Sequence, residues 1–133
     1  MRLVFDACAL IACLRDETGA EVVESLLLNP HNTCLVHAIN LCEVYYDFLR
    51  VSNKATAQSA ISDLMATGLI RREDMDSAFC QKVGKLKANH HLSLADCFAI
   101  ALSNQMHSEL VSSDHHEFEP IANSGICPIR FFR

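Results

Sequence analysis

The stretch Leu3-Val4-Phe5-Asp6-Ala7-Cys8-Ala9-Leu10-Ile11 decides how the rest of the chain is read. Three apolar residues run into an acid, and a segment rich in Ala and Leu follows at once. A short, wholly apolar run fits a strand buried on both faces, and Ala and Leu after it favour helix. Strands covered on both faces belong to parallel sheets, whose crossover helices lie above and below. The pattern recurs along the chain. A strand at Thr33–Val36 leads into a helix at Ala38–Arg50, striped by Leu41, Val44, Tyr45 and Phe48. Further helices are predicted from Thr18 to Asn29-Pro30, over Lys54–Ala66, Glu73–Asn89 and Leu94–Gln105. Leu69-Ile70, Glu109–Ser112 and Cys127–Phe132 read as strands, and Asp114–Glu117 as a polar turn. Strands alternating with helices predict an α/β domain. It is expected to be a three-layer α/β/α arrangement around a central, mostly parallel sheet of four or five strands, with residues 1–133 in a single domain.

Composition narrows the function classes. With 133 residues, 50% hydrophobic and 20% charged, the chain is long enough and apolar enough to fold without staples. Net charge is −5, which disfavours nonspecific nucleic-acid binding unless a local basic strip or a bound cation reverses it. The seven cysteines are odd in number, form no CxxC pair and sit in apolar runs. Buried, reduced thiols in a cytoplasmic protein are the expectation. Met1-Arg2 and the apolar run after it imitate a signal peptide, but Asp6 interrupts the run, and no window is long enough for a membrane span.

Four acids stand at the same kind of place. Asp6 follows the first strand. Glu43 lies early in the helix after the second. Asp96 lies in the first turn after Ser93, and Asp114 follows the strand ending near Ser112. Ligand sites in open α/β sheets form outside the carboxyl ends of strands, so this topology can gather all four. Each acid alone also reads as a cap or a turn: Asp6 as an N-cap, Asn40-Leu41-Cys42-Glu43 and Ser93-Leu94-Ala95-Asp96 as capping boxes, Asp114 as a turn residue. Together they form an all-oxygen donor set, which suits Mg²⁺ or Mn²⁺, ions that act on phosphates.

The stretches Leu3–Ile11, Ile39–Tyr45, Leu92–Leu102 and Leu110–Phe118 resemble, in order, those of PIN-domain ribonucleases, including the VapC-type toxins of bacterial toxin–antitoxin pairs. The resemblance implies a metal-dependent endoribonuclease that hydrolyses RNA phosphodiester bonds. Asp6, Glu43, Asp96 and Asp114 would be both catalytic and metal-binding, and Ser112 would support the last acid. It also implies an RNA substrate, an antitoxin partner laid across the acidic site, and a homodimer. Ala7-Cys8 departs from the pattern, because the family commonly carries Ser or Thr shortly after the first Asp. Two other readings stand beside this one. The first is a catalytically weak PIN-fold module that binds protein or RNA. The second is another α/β phosphohydrolase, weakened because Asp6-Ala7-Cys8 lacks a second Asp.

Several residues carry double readings. Lys82, Lys85, Lys87, His90 and His91 are a solvated face or a track for an RNA backbone. Arg71-Arg72 is a surface pair or a phosphate contact. His115-His116 lacks the spacing of a zinc site. Tyr46 is a surface residue or a base-stacking platform. The apolar tail Ile129–Arg133 is a docked strand or a partner surface.

Overall fold

Leu3 and Phe5 bury themselves in one hydrophobic cluster and Val4 in another. That alternation is the two-residue period of a strand with both faces covered. It holds in the computed structural model, which describes residues 1–133. The elements are β1 (Arg2–Phe5), α1 (Ala7–Leu14), α2 (Ala20–Leu28), β2 (Thr33–His37), α3 (Ala38–Val51), α4 (Lys54–Ala66), β3 (Ile70–Arg72), α5 (Ser77–Asn89), α6 (Leu94–Gln105), β4 (Glu109–Ser112), α7 (His115–Asn123) and β5 (Ile129–Phe131). All four strand pairings are parallel, in the order β3-β2-β1-β4-β5. The expected three-layer α/β/α architecture is present, with five strands.

Helices α1 to α4 cover one face, through Leu10, Val23, Leu41 and Leu64. Helices α5 to α7 cover the other, through Phe79, Val83, Ile100 and Phe118. Leu3, Phe5, Leu10, Ile100 and Phe118 are all fully buried. Each such side chain contributes roughly 1.5–3 kcal/mol by leaving water. β1 lies at the centre of the sheet with one cluster on each face, and α3 and α6 also meet directly, through Asn40 and Ala95.

Local chemistry moved several boundaries. The helix expected from Glu73 begins at Ser77, because Asp76 caps it by accepting from the Phe79 N–H at 2.8 Å. The residues before it are held otherwise: Arg72 donates two hydrogen bonds to Asp74, at 2.9 and 3.0 Å. The helix expected from Thr18 begins at Ala20, after Gly19 at φ +88°. The strand expected at Leu69-Ile70 is paired as Ile70–Arg72, in register with Leu35–His37. The polar turn expected at Asp114–Glu117 is the start of α7. Asp114 caps it through the Glu117 N–H at 3.0 Å. The cysteines are all free thiols, but Cys42 and Cys80 are exposed, against the expectation that all are buried.

His37 ties three elements together. Its Nδ1 accepts from the Ile39 N–H at 3.1 Å and caps α3. Its Nε2 lies 2.9 Å from the Asp74 carbonyl, so Nε2 carries the proton. The ring stacks on Phe79, with centroids 5.6 Å apart and planes 11° from parallel. His37→Asn keeps a good cap but loses the stack and the reach to Asp74. It is expected to lose about 2 kcal/mol, read as a lower urea midpoint with an unchanged m-value.

Candidate active site

The chain runs from β1 to β2 and β3 on one side of the sheet, and to β4 and β5 on the other. The order therefore reverses beside β1, and a crevice opens outside the carboxyl ends of β1 and β4. Asp6 leaves β1 at this point, and Ser112, Ser113 and Asp114 leave β4. Backbone pairing sets the two ends side by side, for the Asp6 N–H donates to the Val111 carbonyl at 3.3 Å.

Asp6 is 3% exposed. Its Oδ1 accepts from the Ala9 N–H at 2.8 Å, so it caps α1 as one reading of the sequence held. Capping does not account for its state. Burial pushes the Asp6 carboxyl up to about 7. The Ser112 hydroxyl and the Ala9 amide oppose the shift, and the negative charges of Asp96 and Asp114 add to it. Ser112 is fully buried and joins the two strand ends, since its Oγ also accepts from the Asp114 N–H at 3.1 Å.

Asp96 is half-buried in the first turn of α6, behind the Ser93 cap. The Ser93 hydroxyl accepts from the Asp96 N–H at 3.1 Å. Burial raises the Asp96 carboxyl. Hydrogen bonding to Ser93 opposes that, and Asp114 and Glu117 raise it further. Glu43 is solvent-exposed in the second turn of α3. Its carboxyl is raised by desolvation and then by Asp96, while Asn40 opposes the shift. The structure thus sets Asp6, Asp96 and Asp114 within one another's field and couples Glu43 to the group through Asp96.

None of the four acids takes part in an ion pair, although the protein makes seven. As the side chains stand, no three His, Cys, Asp or Glu groups lie close enough together to hold a metal ion. Bare carboxylates repel, and a cation is what draws such a set inward. The donor chemistry fits a hard divalent cation: all oxygen, with no cationic side chain paired to any of the four acids.

Three neighbours escaped the sequence reading. Asn40 looked like a cap, but His37 holds that position. Asn40 is fully buried inside α3 instead, donating to the Ala95 carbonyl at 3.3 Å, with its Oδ1 left without a partner. Ser113 lies 3.0 Å from the Cys8 sulfur, so the departure at Cys8 is met by a hydroxyl from β4's end. Burial raises the Cys8 thiol and keeps it neutral. Glu117 adds a fifth acid near Asp96. It was hidden because α7 was read as a turn.

Comparison with known proteins bears on the family and the fold. The sequence profile of the PIN domain matches residues 3–123. Solved structures share the fold at low identity. VapBC2 from Rickettsia felis, bound to a promoter DNA fragment, has a TM-score of 0.76 at 15% identity, covering 98% of each chain. VapBC-1 from nontypeable Haemophilus influenzae gives 0.74 at 16%, over 99% of this chain and 98% of that one. VapC20 of Mycobacterium tuberculosis, a toxin that cleaves the sarcin-ricin loop, gives 0.66 at 12%, over 81% and 86%. No curated protein matches the chain by sequence.

Proposed function

Because this chain belongs to the PIN domain family, we propose that it is a metal-dependent endoribonuclease acting at the crevice beside β1, as the toxin of a toxin–antitoxin pair. One observation supports the reading: acids from four separate segments feel one another's charge near the sheet's switch point, Asp6 through Asp96 and Asp114 and Glu43 through Asp96, and none is paired with a cationic side chain. Asp6, Asp96 and Asp114 would hold Mg²⁺ or Mn²⁺, with Glu43 completing the set. The ion supplies Lewis acidity to a phosphodiester and lowers the pKa of water.

The chain's own groups divide the remaining work. Asp6 must give up its proton to act as a ligand, and Ser112 and the Ala9 amide hold it in place when it does. Ser93 fixes the backbone of Asp96. Glu43 is the acid with open access to solvent, so it orients the attacking water and takes its proton. Exposed Tyr46, one turn further along α3, would offer its ring to an unstacked base.

The solved complexes of VapBC proteins support an antitoxin as partner, because a segment carrying Arg or Lys would neutralise the same unpaired carboxylates. A homodimer belongs to the same reading. Seven free thiols fit a reducing cytoplasm. No helix is long and apolar enough to cross a membrane.

A second reading has its own support. The bare side chains form no three-ligand cluster, and Cys8 replaces the usual hydroxyl residue. Both favour a weakly catalytic module whose partner grips the same crevice. The purified protein in Mn²⁺, incubated with total RNA, separates the two. Cleavage that Asp96→Asn lowers at least about tenfold supports the nuclease. Undiminished cleavage by that variant removes the acidic site from the mechanism, and no cleavage by wild type favours the module.

A further inference from the structure

The cations of this protein are unevenly employed. Of its seven arginines, six are ion-paired: Arg15, Arg50, Arg71, Arg72, Arg130 and Arg133. The seventh, Arg2, donates to the Met106 carbonyl at 3.2 Å. No lysine pairs with an acid, and three of the four lysines lie on α5. A chain of net charge −5 therefore gathers three of its four unpaired lysines on one helix, the fourth being Lys54 on α4.

That helix borders a trough. Lys82, Lys85 and Asn89 recur at helical spacing on one face of α5. They line a groove of about 370 Å³ against Asn104 of α6, floored by Leu86 and Ile126. Two further hollows share Asn89 and His90 with it. One runs past Lys87 and His91 to Ser93 and Glu117, the other past His91 to His116. Ser93 is the cap of the helix that carries Asp96, and the charge of Glu117 acts on Asp96. The hollows thus lead from the lysine face to Ser93 and Glu117, the neighbours of Asp96. Lys87 is partly committed, because its Nζ donates to the Leu92 carbonyl at 2.7 Å and braces the turn. Lys82 and Lys85 are exposed, and neither makes a hydrogen bond or an ion pair.

Resting on the nuclease reading, we propose that the α5–α6 trough is where the RNA substrate's backbone runs. Lys82 and Lys85 hold phosphates several nucleotides from the scissile bond, and the Asn89–His91 turn guides the strand to Asp96. Two flexible point charges neutralise phosphates without reading sequence. They also give an acidic protein an entry point for a polyanion that its carboxylates would otherwise repel.

The test is binding of a fluorescein-labelled 20-nucleotide oligouridylate to full-length protein in EDTA, over a series of salt concentrations. Charge reversal by Lys82→Glu with Lys85→Glu is expected to weaken binding at least tenfold. It should also flatten the slope of log K against log salt by about 1.4, near 0.7 per lost phosphate contact on a single strand. Lys54→Glu, an exposed lysine on the opposite layer, should change the slope by less than half as much. Equal binding by wild type and the double variant overturns the trough, as does wild type that fails to bind. So does displacement by millimolar inorganic phosphate, which marks a small-anion pocket, and so does a Lys54→Glu loss of equal size. Failure here leaves the nuclease reading intact if Asp96→Asn still abolishes cleavage. Lysine-dependent binding by a protein that cleaves no RNA in Mn²⁺ sinks the nuclease reading and keeps the trough.

Discussion

Asp6→Asn is expected to raise the melting temperature in EDTA at pH 8 while lowering RNA cleavage in Mn²⁺ by about 100-fold or more. The two effects have one cause. In the folded chain the Asp6 carboxyl titrates at about 7, whereas in the unfolded chain it titrates near 3.9. Below pH ~4 both states hold the proton, and the group has no effect on stability. Between about pH 4 and 7 the folded state holds a proton that the unfolded state has released. Stability therefore falls as pH rises through that window and levels off above it. Three pKa units correspond to about 4 kcal/mol at most, and some of that is relieved by local adjustment. Asn is neutral at every pH, and its carbonyl oxygen still accepts from the Ala9 N–H. A gain of about 3 kcal/mol, on the order of 10 °C for a chain this size, is expected at pH 8, vanishing by pH 4. Mn²⁺ should close most of this gap, because ion binding stabilises wild type by about 2.7 kcal/mol at a hundredfold excess over Kd, and the variant by far less. Calorimetry at pH 4, 6 and 8, with EDTA and with Mn²⁺, reads all of this. A variant no more stable than wild type in EDTA at pH 8 would show that Asp6 is satisfied as a plain cap.

Gly19→Ala is expected to be the most destabilising single-methyl change in the protein, at about 3 kcal/mol. Gly19 has φ +88°, and a Cβ there would stand 2.7 Å from Phe132 Cδ2 and 2.8 Å from the Phe132 carbonyl oxygen. A left-handed backbone alone costs roughly 1–2 kcal/mol for a residue with a Cβ. The rest is the contact, and a backbone oxygen cannot swing aside. The C-terminal segment has little freedom to move. Phe132 is 5% exposed, its N–H donates to the Ser112 carbonyl at 3.1 Å, and Arg133 donates to the Thr18 carbonyl at 3.0 Å. Gly68 is the control, with φ +93° and open space where its Cβ would be. Gly68→Ala should therefore cost only the backbone part. Urea unfolding of both variants checks the difference. Equal losses would mean that Phe132 yields, and that the tail is held less firmly than its contacts imply.

What the sequence made legible follows from range. Apolar runs of three to five residues, ended by an acid or a cap, report burial on both faces, and burial on both faces implies the layers. Strand order is a long-range property. Nothing local in Leu3–Phe5 says that β1 lies between β2 and β4 rather than at an edge. Where a short-range rule failed, a competing one applied. The polar run Asp114–Glu117 looks like a turn, yet Asp114 caps a helix there, and Pro120 costs that helix only one backbone bond. Asn40-Leu41-Cys42-Glu43 fits a capping box by spacing, but His37 begins α3 three residues earlier and turns Asn40 inward. The candidate acids were visible because each follows a strand end or opens a helix. How far apart they stand depends on side-chain positions that spacing does not encode.

Strand β1 has its partners at very different distances along the chain. Leu3 aligns with Cys34 on one side and with Glu109 on the other. During synthesis from the N-terminus, β1 and β2 can pair after about a quarter of the chain has emerged, but β4 arrives near the end. Until then the central strand presents an open edge, and the wall that Ser112 and Asp114 give the crevice does not exist. Folding should be governed by the late closure of β4 onto β1, a slow, high-contact-order step. A ribosome-bound chain halted before Glu109 would carry Asp6, Glu43 and Asp96 with no crevice to hold them. The crevice of this domain is complete only once β4 has joined β1.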